Sequence, residues 1–151
     1  MMNVHASGGK AMMINAVKAI HEAAVSPRPK ILAVTVLTSM RDADLKEVGV
    51  KKKMKEQVCA LAISAQQSGL DGVVASGQEI SLIREAAGED FLIVTPGVRP
   101  VWAAHGDQKR IITPHQALKE GADFIVVGRP ITSHTDPPEA VELILKEMQD
   151  G

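Results

Sequence analysis

Aromatic residues are nearly absent from this 151-residue chain, which has two Phe, one Trp and no Tyr. Single-stranded nucleic acid is held largely by stacking bases on aromatic rings, so that class of partner is not expected. Charge of one sign is not in excess either. Seventeen Lys and Arg face 18 Asp and Glu, a formal net charge of -1, which gives no general electrostatic reason to expect nucleic acid or an acidic membrane. The single cysteine, Cys59, cannot close an internal disulfide and fits a reducing cytosol. No apolar stretch approaches the roughly 20 residues needed to span a bilayer. The first residues, Met1 to His5, lack the charged start and long apolar centre of a secretory signal. A soluble cytoplasmic protein is the expectation.

What is present is alternation. Apolar residues make up 45% of the chain and charged residues 23%, enough for a core under an ordinary surface. Short, mostly apolar runs at Met1 to His5, Ile31 to Leu37, Leu70 to Ala75, Phe91 to Thr95 and Phe124 to Gly128 read as strands, the last of them as a strand buried on both faces. Between them lie helical patterns. Met13, Ala16, Val17 and Ile20 form one face, and Ser26-Pro27-Arg28-Pro29 breaks that helix. Asp42 to Val48 is a short helix. Lys51-Lys52-Lys53-Met54-Lys55 reads as a solvated helix start, ahead of Val58, Leu61, Ala62 and Ala65, with Cys59 beside them as a packed or half-packed thiol. Gly69 caps that helix. Ser76 and Glu79 have capping-box spacing before the next one, which lasts to about Gly88. Thr113-Pro114-His115-Gln116 opens another, closed by Gly121. Asp136-Pro137-Pro138-Glu139 starts the last, with Val141, Ile144, Leu145 and Met148 as its inward stripe.

Strands alternating with helices at about 30 residues per unit argue for parallel strands and right-handed crossovers. No linker or composition shift divides the chain, so residues 1–151 are read as one domain. The last two strands end alike, in Pro96-Gly97-Val98-Arg99-Pro100 and in Gly128-Arg129-Pro130. Gly lets a group approach the backbone, and the planar fork of Arg suits phosphate. In a β/α barrel the final two strands often carry a phosphate site of this kind. A closed barrel needs eight strands and about 250 residues. The expectation is therefore α/β, a partial TIM (β/α)8 barrel of about five units, strands four to eight, with about 90 residues upstream. The loop from Val98 to Ile112 is long enough to suggest function.

Six collinear pieces sharpen this: Asn3-Val4-His5-Ala6-Ser7-Gly8-Gly9, Ala33 to Met40 (Ala-Val-Thr-Val-Leu-Thr-Ser-Met), Gly69-Leu70-Asp71-Gly72-Val73-Val74, Val94 to Pro100 (Val-Thr-Pro-Gly-Val-Arg-Pro), Gly106-Asp107-Gln108, and Val127 to Thr132 (Val-Gly-Arg-Pro-Ile-Thr). Together they resemble bacterial orotidine 5'-phosphate decarboxylase from end to end. The resemblance implies a homodimeric barrel that converts orotidine 5'-monophosphate to uridine 5'-monophosphate (UMP) without cofactor or metal. It implies that Thr38 contacts the pyrimidine edge, and that Arg99, Gln108, Gly128 and Arg129 surround the phosphate. The loop carrying Gln108 would close over that phosphate and use its binding energy to organise the distant ring.

By the same resemblance, catalysis belongs to an Asp-x-Lys-x-x-Asp array whose lysine protonates the carbanion at pyrimidine C6. No such array occurs in these 151 residues, so no catalytic residue is assigned; Lys10 is the substitute to examine should the chain turn over substrate. His5 sits at a strand end, where a pocket role and a structural role are both open. His21, His105, His115 and His134 lack metal spacing and read as surface or capping residues. Two other readings stand beside the decarboxylase: a phosphate-binding barrel enzyme acting on a sugar phosphate, and a non-catalytic partial barrel that binds phosphorylated ligands or self-associates through strand edges.

Overall fold

The computed structural model describes residues 1–103 and 110–149. Its strands are β1 (Met2–His5), β2 (Ile31–Val34), β3 (Gly72–Val74), β4 (Leu92–Thr95) and β5 (Phe124–Ile125). They form one sheet in the order β1-β2-β3-β4-β5, and every neighbouring pair is parallel. An open doubly wound sheet would reverse its strand order part-way. Unbroken sequential order is instead the arrangement of a β/α barrel, here a five-stranded arc of one.

The helices are α1 (Lys10–Glu22), α2 (Asp42–Glu47), α3 (Met54–Gln67), α4 (Ile80–Ala87), α5 (Pro114–Lys119), α6 (Arg129–Thr132) and α7 (Pro137–Gln149). Their starts follow local chemistry. Thr113 Oγ1 accepts the Gln116 N–H at 3.2 Å, with Pro114 in the first turn. Asp136 Oδ1 accepts the Glu139 N–H at 3.1 Å. Gly69, at φ 82° just past α3, takes the left-handed conformation that ends a helix cheaply. Cys59 is half-buried on α3. The core lies between the sheet and these helices, with Met13, Val58, Val73, Ile80, Ile83 and Ile93 all fully buried.

The central strands are buried as expected, but the edges are not. All of β2 is buried, whereas three of the four β1 residues are exposed. Phe124 is 45% exposed and Val126 50%, and the strand expected from Phe124 to Gly128 is only two residues long. Among the described residues β5 has one neighbouring strand and β1 likewise. A one-sided strand loses half its ladder and one packing surface, so its ends fray. The α7 stripe is affected in the same way: Ile144 is buried, but Leu145 is 51% exposed.

Two aspartates perform one job at the end of the sheet where strands begin. Asp71 precedes β3 and accepts the Ile31 N–H at 2.8 Å, while its own N–H donates to Ile31 O at 2.9 Å. Asp123 precedes β5 and repeats this on Ile93, at 2.7 and 3.0 Å. Each carboxylate also holds an arginine, Arg28 on Asp71 and Arg84 on Asp123. Arg84 in addition donates to the carbonyls of Gly88, Glu89, Phe91 and Gly121 at 2.7–3.1 Å. All of its nitrogens are engaged.

Two outcomes are expected. Arg84→Met should lose about 2–4 kcal/mol in urea unfolding, because it leaves a partly buried carboxylate and several carbonyls unmet; Arg84→Lys should recover little. Burial pushes the Asp71 carboxyl up, but hydrogen bonds from Arg28 and Ile31 N–H and the charges of Arg28 and Lys30 outweigh this and hold it below the usual carboxylate value. A lowered folded value means stability present above the unfolded value and lost as pH falls through the folded one. Asp71→Asn should therefore be less stable at neutral pH, with the gap to the parent closing below about pH 4.

Candidate functional site

Because the strands are parallel, their carboxyl ends share one rim, and the two strand ends singled out by sequence are neighbours there. Pro96 to Pro100 follows β4. Arg99 is only 7% exposed; its N–H donates to Ile112 O at 2.9 Å, and its Nη1 donates to Val98 O at 2.8 Å. The Val98–Ile112 bridge joins the two ends of the long loop beside it. After β5 the chain turns at Gly128 into α6, where Arg129 is exposed at the first position. A Cβ placed on Gly128 would meet no protein atom within 4 Å, so packing does not demand this glycine and open space is left beside it.

Arg99 and Arg129 line one cavity of about 490 Å3, together with Trp102, Ala103, Pro130, Ser133 and His134. Among the described residues the ionisable side chains on this lining are Arg99, Arg129 and His134. A second cleft, of about 540 Å3, holds Arg41, Lys53, Lys55 and Arg110, but Asp42, Glu56 and Glu79 line it too. The first cavity brings together two guanidiniums from adjacent strand ends and suits a phosphate, whereas the charges lining the second largely offset one another. Two guanidinium forks offer the charge-assisted hydrogen bonds that a phosphate takes.

The remaining expectations fall as follows. Thr38 stands half-buried beyond the end of β2 and is not on the lining of this cavity. Gln108 lies outside the described residues. His5 is exposed and precedes a short 3-10 turn, Ala6–Gly8. Lys10 is exposed and donates to Gln67 Oε1 at 2.8 Å. Among the described residues no group of three His, Cys, Asp or Glu is placed to hold a metal ion. The nearest described approach to the catalytic array is Asp44-Leu45-Lys46 on α2, with Leu45 buried and Gly49 where the second aspartate would stand.

Sequence reasoning missed Trp102, Ser133 and His134. Trp102 meets the His134 ring edge-on, with centroids 5.5 Å apart, and His134 Nδ1 lies 3.1 Å from the Asp136 N–H. His134, expected as a surface or capping residue, contacts Asp136, the residue that caps α7. The short helix α6 carries it back to the cavity. Only the uniqueness of Trp102 in the chain could have drawn attention to it.

The model of the orotidine 5'-phosphate decarboxylase / HUMPS family matches residues 1–144. This chain belongs to that family. It is 52% identical to the orotidine 5'-phosphate decarboxylase of Moorella thermoacetica over 153 residues, covering 99% of this chain and 61% of that protein. It is 51% identical to the enzyme of Geotalea daltonii, covering all of this chain and 64% of the other. Among solved structures, the orotidine 5'-phosphate decarboxylase of Lactobacillus acidophilus superimposes with a TM-score of 0.83 at 41% identity, over 98% of this chain and 63% of that one. The chain thus spans a little over three fifths of the relatives it matches, and the fold is a partial β/α barrel of this family.

If both arginines grip one anion, Arg129→Ala should weaken inorganic phosphate binding about 10- to 100-fold in calorimetric titration, since hydrogen bonds to charged groups contribute about 1.5–3 kcal/mol. Arg129→Lys should restore only part, because an ammonium lacks the fork.

Proposed function

We propose that this chain is the phosphate- and pyrimidine-binding part of an orotidine 5'-phosphate decarboxylase, which releases CO2 from orotidine 5'-monophosphate to give UMP. The observation that carries this is the meeting of Arg99 and Arg129 on one cavity at the ends of adjacent parallel strands. In this reading the two arginines, with Gln108 and the backbone at Gly128, hold the phosphate. Thr38 uses a hydroxyl, both donor and acceptor, on the pyrimidine edge. The proton donor and its aspartates come from the part of the barrel that these 151 residues do not span. The chain's own share of catalysis is to fix the substrate by its phosphate, so that binding energy far from the reacting carbon is available in the transition state. A homodimer in the cytoplasm belongs to the same reading, and no helix among the described residues is long and apolar enough to cross a membrane.

The family's description names HUMPS beside the decarboxylases, and a sugar phosphate without a base is kept as the competing ligand. The curated relatives at about half identity bear the decarboxylase name, and this favours the nucleotide.

The test is to follow orotidine 5'-monophosphate loss by absorbance with the 151-residue chain, alone and mixed with the three missing units of the Moorella thermoacetica enzyme. Silence alone and turnover in the mixture are expected. Turnover by the chain alone would show that the array is not needed from outside. Failure of the mixture, together with no preference for UMP over ribose 5-phosphate, would remove the nucleotide reading.

A further inference from the structure

The residue pair that the proposed reaction leaves unused is Glu79 and Arg110, respectively 1% and 6% exposed. Arg110 Nη1 donates to both Glu79 oxygens, at 2.7 and 2.8 Å. Its Nη2 reaches across to Val36 O at 3.3 Å and Leu37 O at 3.1 Å, the residues immediately before Thr38. Ser76 Oγ, itself fully buried, holds Arg110 O at 3.4 Å. Two residues on, Ile112 O accepts the Arg99 N–H. The chain from Ser76 is pressed against this segment so closely that a Cβ on Gly77 would fall 2.4 Å from Ile112 Cγ2. Residues 110–112 therefore tie together the ends of β2, β3 and β4.

The expected capping box at Ser76 and Glu79 is altered by this arrangement. Ser76 Oγ accepts from Gln78 N–H at 3.4 Å, and a 3-10 turn, Gly77–Glu79, precedes α4. The Glu79 carboxylate goes to Arg110 instead of back to the helix start.

Stability alone is a poor reason for such a pair. Taking a carboxylate and a guanidinium out of water costs several kcal/mol per ion, and well-packed apolar residues in their place are often as stable. Burial pushes the Glu79 carboxyl above its ordinary value, against the pull of Arg110. Among the described residues Arg110 Nε is buried with no hydrogen-bond partner, so the guanidinium is not placed for its own saturation. What the pair does supply is fixed geometry: a rigid fork whose two ends rest on different strand ends.

We propose that Arg110 and Glu79 are positioning residues that lock the strand end bearing Thr38 to the strand end bearing Arg99. The joint sets the spacing between the base-contacting hydroxyl and the phosphate-holding arginine. It rests on the nucleotide reading above for its ligand, but not for its mechanics. A ligand that has both base and phosphate depends on it; a ligand with phosphate alone does not.

The test uses the 151-residue chain with Arg110→Met/Glu79→Leu, which removes both charges together, and with Glu79→Gln, which preserves shape should the double variant fail to fold. UMP and ribose 5-phosphate are titrated into each, and amide hydrogen exchange is read at Met40, which donates to Leu37 O, and at Arg99. The expected result is faster exchange at both amides with β3 and β4 still protected. UMP should lose about tenfold of its advantage over ribose 5-phosphate, a loss in the range that small misplacements cause. Arg110→Lys should not rescue it, because an ammonium cannot span carboxylate and carbonyls at once. Exchange unchanged in folded variants would overturn the joint. So would a UMP advantage that persists in a folded variant. A parent chain with no UMP advantage would count against the nucleotide site, while exchange would still decide the joint.

Discussion

A parallel ladder in which each strand lies beside its sequence neighbour leaves the chain no choice about where its turns fall. Every strand must begin on one rim and end on the other, and every helix must return across the outside. In this chain the order is unbroken from β1 to β5, so residues separated by dozens of positions meet because each follows a strand. Arg99 and Arg129 are thirty positions apart and share a cavity for that reason. Arg110 and Leu37 are 73 apart and share a hydrogen bond for the same one.

The two rims carry different duties. Where strands begin, Asp71 and Asp123 close reciprocal pairs with the preceding strand, and each holds an arginine in a mainly structural contact. Where strands end, the arginines line space rather than fill it. Conflict between the needs of folding and binding is reduced when the first are met at one rim and the second at the other, a division typical of β/α barrels. The exposed edges of β1 and β5 are the exception. Apolar Phe124, Val126 and Leu145 face outward there, with strand edges that a neighbouring β/α unit would cover.

Much of this was legible in the sequence, for identifiable reasons. Strand–helix alternation, the proline and threonine opening α5, and the glycine after α3 are local signals, and local signals survive into the fold. Arg99 and Arg129 could be paired because Gly and Arg recur at two strand ends. The shortness of β5 was not legible: its composition is that of a buried strand, but its length depends on a neighbour, which is a property of the assembly. Glu79 misled for a related reason. Its spacing from Ser76 fits a helix cap, yet a buried carboxylate with a guanidinium in reach gains more from that partner, and Arg110 lies 31 positions away. In sequence His134 reads only as a surface or capping residue, because the four residues of α6 bring it to the cavity, where it meets Trp102 from the loop after β4.

The most direct measurement is a crystal structure of the 151-residue chain with UMP bound. The phosphate is expected between Arg99 and Arg129, with the pyrimidine directed toward Thr38. A phosphate found instead in the cleft of Arg41, Lys53 and Lys55 would contradict the central claim, because the carboxylates there would then have failed to exclude it.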